Sequence, residues 1–104
     1  MINISIKRKE KLIYLIEVTG HANYRRKGKD IVCSAVSSII QTAVLGLMKV
    51  LCAEIDYTVD EKEGYLRCML YNPNEKTEIV LQTMLEGLKD ISSEFPKHVK
   101  LMEV

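Results

Sequence analysis

The sequence predicts an α+β fold, a two-layer sandwich in the order ββαββαβ, with two helices on one face of a mostly antiparallel five-stranded sheet. Three observations carry that prediction. Apolar and polar residues alternate in paired short runs, 2–7 with 12–18 and 55–59 with 65–71, and a polar break separates the members of each pair. Apolar residues recur at intervals of three and four in two longer segments, beginning at Val32 and Val80. The only prolines, Pro73 and Pro96, fall at either side of the second segment, where elements should end.

The 104 residues suit one domain, 1–104, with one core. A composition of 47% hydrophobic and 28% charged residues excludes disorder as a global description. Fifteen Lys+Arg against fourteen Asp+Glu leave a net charge of +1, so nucleic acid or an anionic membrane would need a local patch. Three cysteines, an odd number and not closely spaced, do not make a disulfide framework, and a reducing cytoplasm is expected. The amino terminus lacks the basic start, apolar block and cleavage site of a secretory signal. No charge occurs from Ile31 to Met48, close to the length of a spanning helix. Ser34, Ser37, Ser38, Gln41 and Thr42 make that stretch a poor lipid-facing surface, so a core helix and no membrane partner are expected.

Taken in order, Ile2, Ile4 and Ile6 alternate with Asn3, Ser5 and Lys7 to give a first strand. After the break at 8–11, the second run is apolar on both sides at Leu12, Ile13, Leu15 and Ile16, which predicts a more central position. A polar stretch follows, and Asp30 supplies an N-cap for a helix with a stripe at Val32, Val36, Ile39, Ala43, Leu47 and Leu51. Its other side, Ile40, Val44 and Met48, also lacks charges and needs a second cover, either another helix or another subunit; a homodimer is expected on that ground. Ile55, Tyr57 and Val59, then Leu66, Cys68 and Leu70, form a second hairpin. Asn72-Pro73-Asn74 ends it. Val80, Met84, Leu88, Ile91 and Phe95 predict an amphipathic second helix stopped by Pro96, and Val99 and Leu101, extending toward Val104, a last strand.

The segment from Gly20 to Cys33 is not explained by the fold alone. It is longer than a usual connection, and such connections often carry function. With Asp30 as cap, Cys33 is the third helical residue, beside unpaired backbone N–H groups at the positive end of the helix dipole. That placement, with an imidazole such as that of His21 nearby, favours a thiolate. Full ionisation raises the reactive population only about tenfold to thirtyfold over an ordinary thiol. The amides near Cys33 and Ser34 would have to add oxyanion stabilisation, where one donor is worth roughly a hundredfold to a thousandfold. A cysteine in an apolar helix is more often a small core residue, and a histidine at a strand end is usually a loop hydrogen-bonder, so the residues alone leave both readings open.

Cys52 and Cys68 read as structural and His98 as a strand surface residue. No Cys-x-x-Cys or His-x-x-x-His pair occurs, and no metal is expected. Arg25, Arg26, Lys27 and Lys29, with Tyr24 available to stack, read either as a solvated loop or as an RNA contact.

Gly20-His21-Ala22 followed by Gly28-Lys29-Asp30-Ile31-Val32-Cys33-Ser34-Ala35-Val36-Ser37 resembles the G-H-A…G-x-D-[IV]-[VA]-C-[AS]-[AG]-[VI]-S signature of the ribosomal-processing cysteine protease (Prp) family. The element order and chain length fit as well. Members are small homodimeric α+β proteins of bacteria that remove a short N-terminal extension from a large-subunit ribosomal protein. The resemblance implies Cys33 as nucleophile and His21 as its catalytic partner, supported by Gly20, Asp30 and Ser37, with Ala22, Asn23, Tyr24, Arg25, Arg26, Lys27, Gly28 and Lys29 as a substrate loop. That loop departs from the family pattern, because Asn23-Tyr24-Arg25-Arg26-Lys27 stands where small or acidic residues are usual.

The resulting expectation is a cytoplasmic cysteine endopeptidase with a Cys33/His21 dyad, no metal or organic cofactor, a ribosomal-protein N-terminus as substrate and a second copy of the chain as partner. Asp30 either caps the helix, where its charge works against the dipole's effect on Cys33, or orients His21. The competing reading is a non-catalytic ribosome-assembly or RNA-binding factor that uses the basic loop at 25–29.

Overall fold

Two hairpins and a final parallel strand build the sheet in the computed structural model, which describes residues 1–21 and 31–104. The Asp30 cap and the loop from Ala22 to Lys29, with its basic run, lie outside the described residues. β1 (Ile2–Lys9) and β2 (Leu12–Thr19) pair antiparallel around Glu10 and Lys11, and β3 (Ile55–Asp60) pairs antiparallel with β4 (Tyr65–Leu70). β5 (Val99–Glu103) runs parallel to β1, giving the order β3-β4-β2-β1-β5. β2 is thus the central strand, as its two-sided apolar run implies. Ile13 and Ile16 join the core, whereas Leu15, level with Lys7 and Met69 on the other face, is also buried.

The helices α1 (Ile31–Leu45) and α2 (Glu75–Glu94) pack against the sheet and each other. α2 starts at a capping box: Asn74 Oδ1 accepts from Lys76 N at 2.8 Å and Thr77 N at 3.0 Å, while Thr77 Oγ1 accepts from Asn74 N at 2.9 Å. Such a cap is worth about 1 kcal/mol. Its buried line is Thr77, Leu81, Met84, Leu85 and Leu88, so Val80 and Ile91 of the expected stripe sit at its margin and Phe95 lies beyond the last turn.

In α1 the structure overturns one expectation. Ile40 and Val44 are 1% and 2% exposed and belong to the core with Val32, Val36, Ala43 and Leu47; of the supposed second face only Met48 is exposed. Positions 32, 36, 40 and 44, four apart, share one line facing the sheet. The additional cover comes from α2, where Gly87 lies against Ile39: a Cβ there would stand 3.3 Å from Ile39 Cδ1. Ile31–Val50 is long and apolar enough to cross a bilayer, with mean hydropathy 1.9, but its inward line is the core of this domain.

Past Leu45 the helix widens into a π segment, Gly46–Val50, closed by Leu51 N donating to Gly46 O at 3.0 Å. The expected stripe survives the π segment, since Leu47 is buried and Leu51 packs on the core. Cys52, the residue after the C-cap, is not a core residue. It is exposed, takes φ +53°, and ends the helix while Ala53 N reaches back to Leu47 O at 2.8 Å.

Candidate active site

At one end of the sandwich, the end of β2, the first turns of α1 and the β3–β4 hairpin enclose an open groove of about 450 Å³. Its apolar base comes from Ile2, Val18, Val36, Ile40 and Leu66, residues of the core or packed on it. Polar groups make the walls: His21 after β2, Cys33, Ser34, Ser37 and Ser38 on α1, and Asp60, Glu61 and Tyr65 on the hairpin. Four residues singled out from the sequence, Gly20, His21, Cys33 and Ser37, therefore line a single groove. The helix brings Cys33 and Ser37 there because they are four residues apart on one face.

His21 is exposed and Cys33 half-buried, its inner side against the core. The Ser37 hydroxyl accepts from Gln41 Nε2 at 2.8 Å. Gly20 is a glycine by necessity. It holds φ +92°, and a Cβ on it would collide with the carbonyl oxygen of Met1. Its N–H donates to Gly64 O at 2.8 Å, which ties the residue before His21 to the hairpin.

The hairpin's part in this groove is not visible in the sequence. Asp60 Oδ1 accepts from Lys62 N and Glu63 N, both at 3.1 Å, folding the turn that leads to Gly64. Gly64 takes φ +65°, and a Cβ there would lie 2.7 Å from His21 Nε2 and 2.9 Å from His21 Cε1. In the sequence Gly64 signals only a turn between two strands.

The other cysteines and histidine stand apart from the groove lining. Cys68, on the inward face of β4, is fully buried, and burial, then the Asp56 carboxylate, pushes its thiol up to about 11. His98 is half-buried in the turn before β5, its N–H donating to Phe95 O at 3.0 Å and its carbonyl accepting from Ile2 N at 2.8 Å. Among the described residues no three His, Cys, Asp or Glu side chains gather as a metal site.

The family model described as cysteine protease Prp matches residues 1–100. The chain belongs to that family. It is a cysteine protease, and the α+β sandwich expected from its sequence is the family's fold. The ribosomal processing cysteine protease Prp of Staphylococcus aureus is 26% identical over 101 residues, covering 96% of this chain and 94% of that protein. The Mycoplasma genitalium protein of the same name is 30% identical over 84 residues, 81% of this chain and 82% of its own length. A crystal structure of the essential S. aureus ribosomal processing protease Prp with a covalently linked product peptide superposes with a TM-score of 0.93 at 25% identity, covering 100% of both chains.

Proposed function

We propose that this cysteine protease is an endopeptidase that removes the N-terminal extension of a large-subunit ribosomal protein, with Cys33 as nucleophile and His21 as its acid–base partner. One observation carries the reading: a thiol and an imidazole, on different elements, line one groove whose base is apolar and whose walls are polar. Such a groove suits an extended peptide, which offers apolar side chains to the base and backbone amides to the walls. The S. aureus relative with its covalently linked product peptide, and the names of the curated relatives, support a ribosomal-protein substrate.

In this mechanism the Cys33 thiolate attacks the scissile carbonyl carbon and forms the C–S bond, while backbone amides near Cys33 and Ser34 receive the oxyanion. The His21 imidazolium gives its proton to the leaving amine as the C–N bond breaks. Neutral His21 then takes a proton from water, whose oxygen attacks the thioester and releases the carboxylate product and the thiol. Gly20 fixes the backbone that presents His21, and Ser37 lines the groove one helical turn beyond the thiol.

We further propose a cytoplasmic homodimer. With Ile40 and Val44 in the core, its seam falls to the exposed Leu45, Met48 and Val50. Sedimentation of wild type and Met48→Glu tests that part. The test of the function is to mix the protein with a peptide copying the N-terminus of the host's own large-subunit ribosomal protein and to search for two fragments by mass spectrometry. Cys33→Ala should bind the peptide and leave it whole. Cleavage by that variant at the wild-type rate would end the proposal.

A further inference from the structure

The space beside the His21 ring is shaped by something Gly64 lacks. A Cβ at position 64 would stand 2.7 Å from His21 Nε2, 2.9 Å from Cε1 and 2.8 Å from Gly20 O, closer than a side-chain carbon approaches such atoms. We propose that Gly64 is a positioning residue for His21: the β3–β4 turn presents a left-handed, side-chain-free position whose open face seats the imidazole. The inference rests on the reading that His21 serves Cys33.

Several features of the turn converge on that seat. Asp60 Oδ1 holds the N–H groups of Lys62 and Glu63, which fixes the approach to Gly64. Gly64 then takes φ +65°, a conformation glycine adopts without penalty. Its carbonyl accepts the Gly20 N–H at 2.8 Å, so the strand carrying His21 and the turn receiving its ring are joined one residue from the ring itself. When a Cβ is added, either the ring or the Gly20 carbonyl must move. Gly20 is held by that hydrogen bond, and the Met1 carbonyl fills the space where its own Cβ would be. The ring turns about two side-chain bonds and gives way first.

The consequence is specific to catalysis. Proton transfer needs the imidazole within about 2.6–3.2 Å of its partner, and misplacement by about 1 Å costs roughly a hundredfold. Peptide binding along the groove has no such demand on the ring. Gly64→Ala should therefore lower kcat roughly tenfold to a hundredfold with KM nearly unchanged. Gly64→Asn, which tolerates positive φ but also carries a Cβ, should do the same and separates displacement of the ring from backbone strain.

The test has two readouts. NMR of the histidine Cε1–H signals should show the His21 resonance moved in both variants while the His98 resonance and the core methyls of Ile4 and Leu81 stay in place. An unmoved His21 signal in both variants overturns the seat. Peptide cleavage should then show that Gly64→Ala costs nothing further once His21→Ala is present. An equal additional loss in that background overturns the positioning role, because it assigns Gly64 a purely structural part. The underlying reading fails separately: wild-type turnover by His21→Ala alone, with the ring signal displaced in Gly64→Ala, would remove the dyad and with it any catalytic meaning of the seat.

Discussion

Tyr57 and Cys68 are directly opposed on β3 and β4, and both side chains hold their protons more tightly than usual. Burial is the main cause for each. The Asp56 carboxylate adds to it at Cys68, and Cys68 and Glu61 add to it at Tyr57. Below the ordinary cysteine value of 9.0, folded and unfolded chains both keep the thiol proton. As pH rises above 9.0 the unfolded chain releases it while the folded chain holds it to about 11, so stability is lost across that interval. A gap of that size corresponds to about 2–3 kcal/mol, and Tyr57 acts in the same direction. Urea unfolding across the interval should show the loss, and Cys68→Ala should remove the thiol's share. An identical alkaline loss in the variant would assign it elsewhere.

The three thiols differ in access: Cys52 is exposed, Cys33 half-buried at the groove and Cys68 buried. In a Cys52→Ser background, iodoacetamide near neutral pH should modify Cys33 and spare Cys68. If His21 supports a thiolate at Cys33, His21→Ala should slow that labelling. Mass spectrometry of the alkylated peptides reads both outcomes, and modification of Cys68 at the rate of Cys33 would contradict its burial.

Ile40 and Val44 test the assignment of the α1 faces. Ile40→Ala should destabilise the domain by about 2–5 kcal/mol, as expected for truncating a core aliphatic residue. Val44→Glu should prevent stable folding, because it places a carboxylate without a partner in the core. The same substitution at exposed Met48 should change monomer stability by less than about 0.5 kcal/mol. A folded, monomeric Val44→Glu protein would return Val44 to the subunit interface.

How far the sequence could be read depended on whether a residue's role is local. The element order and the central place of β2 follow from period-two alternation and from apolar residues on both sides of one run, and both signals lie within single segments. The outward turn of Cys52 comes at the positive-φ residue just past the helix end, a backbone feature that the apolar pattern does not mark. The inward turn of Val44 shows only once α1 is laid on the sheet and α2 covers its Ile39 side, where Gly87 lies against Ile39. Cys33 and His21 stood out by flanking a long polar connection, but their chemistry alone favoured a core thiol and a loop imidazole, and only the resemblance of a motif joined them as a pair. Gly64 was hidden because a glycine in a hairpin turn already has a sufficient explanation, and its relation to His21 exists only once two distant strands are side by side.

Glu78 joins α2 to a fault in the sheet. The β1–β2 register shifts between Lys7 and Arg8, and there the Ile13 N–H donates to Glu78 Oε1 at 2.8 Å. The same carboxylate lies 3.6 Å from Arg8 Nη1 and accepts from Gln82 Nε2 at 3.0 Å. Glu78→Ala should cost about 1–3 kcal/mol by leaving a partly buried N–H without its acceptor. Glu78→Gln keeps an acceptor for the Ile13 N–H but gives up the charge facing Arg8 Nη1 and the Gln82 hydrogen bond at Oε2, so it should cost less than Glu78→Ala without being neutral. Equal losses in the two variants, measured by urea unfolding, would show that the contacts at Oε2 matter more than the Ile13 hydrogen bond at Oε1.

The β1–β2 turn leaves room for improvement. Lys9 and Leu12 are paired, so Glu10 and Lys11 are the whole loop, and they hold φ +53° and +73°. Positive φ at both central positions is the pattern of the type I′ turn, which suits the strand twist and favours Asn-Gly. For Glu and Lys the left-handed conformation costs about 1–2 kcal/mol per residue, because Cβ crowds the following carbonyl. Glycine recovers part of that strain and gives back part through the greater freedom of the unfolded chain. Glu10→Asn with Lys11→Gly should therefore stabilise the domain by about 1 kcal/mol, raising Tm by about 4–8 °C for a domain of this size. Since neither residue lines the groove, peptide cleavage should be unchanged. A Tm at or below that of the wild type would mean that Glu10 and Lys11 make compensating contacts the Asn-Gly turn cannot replace.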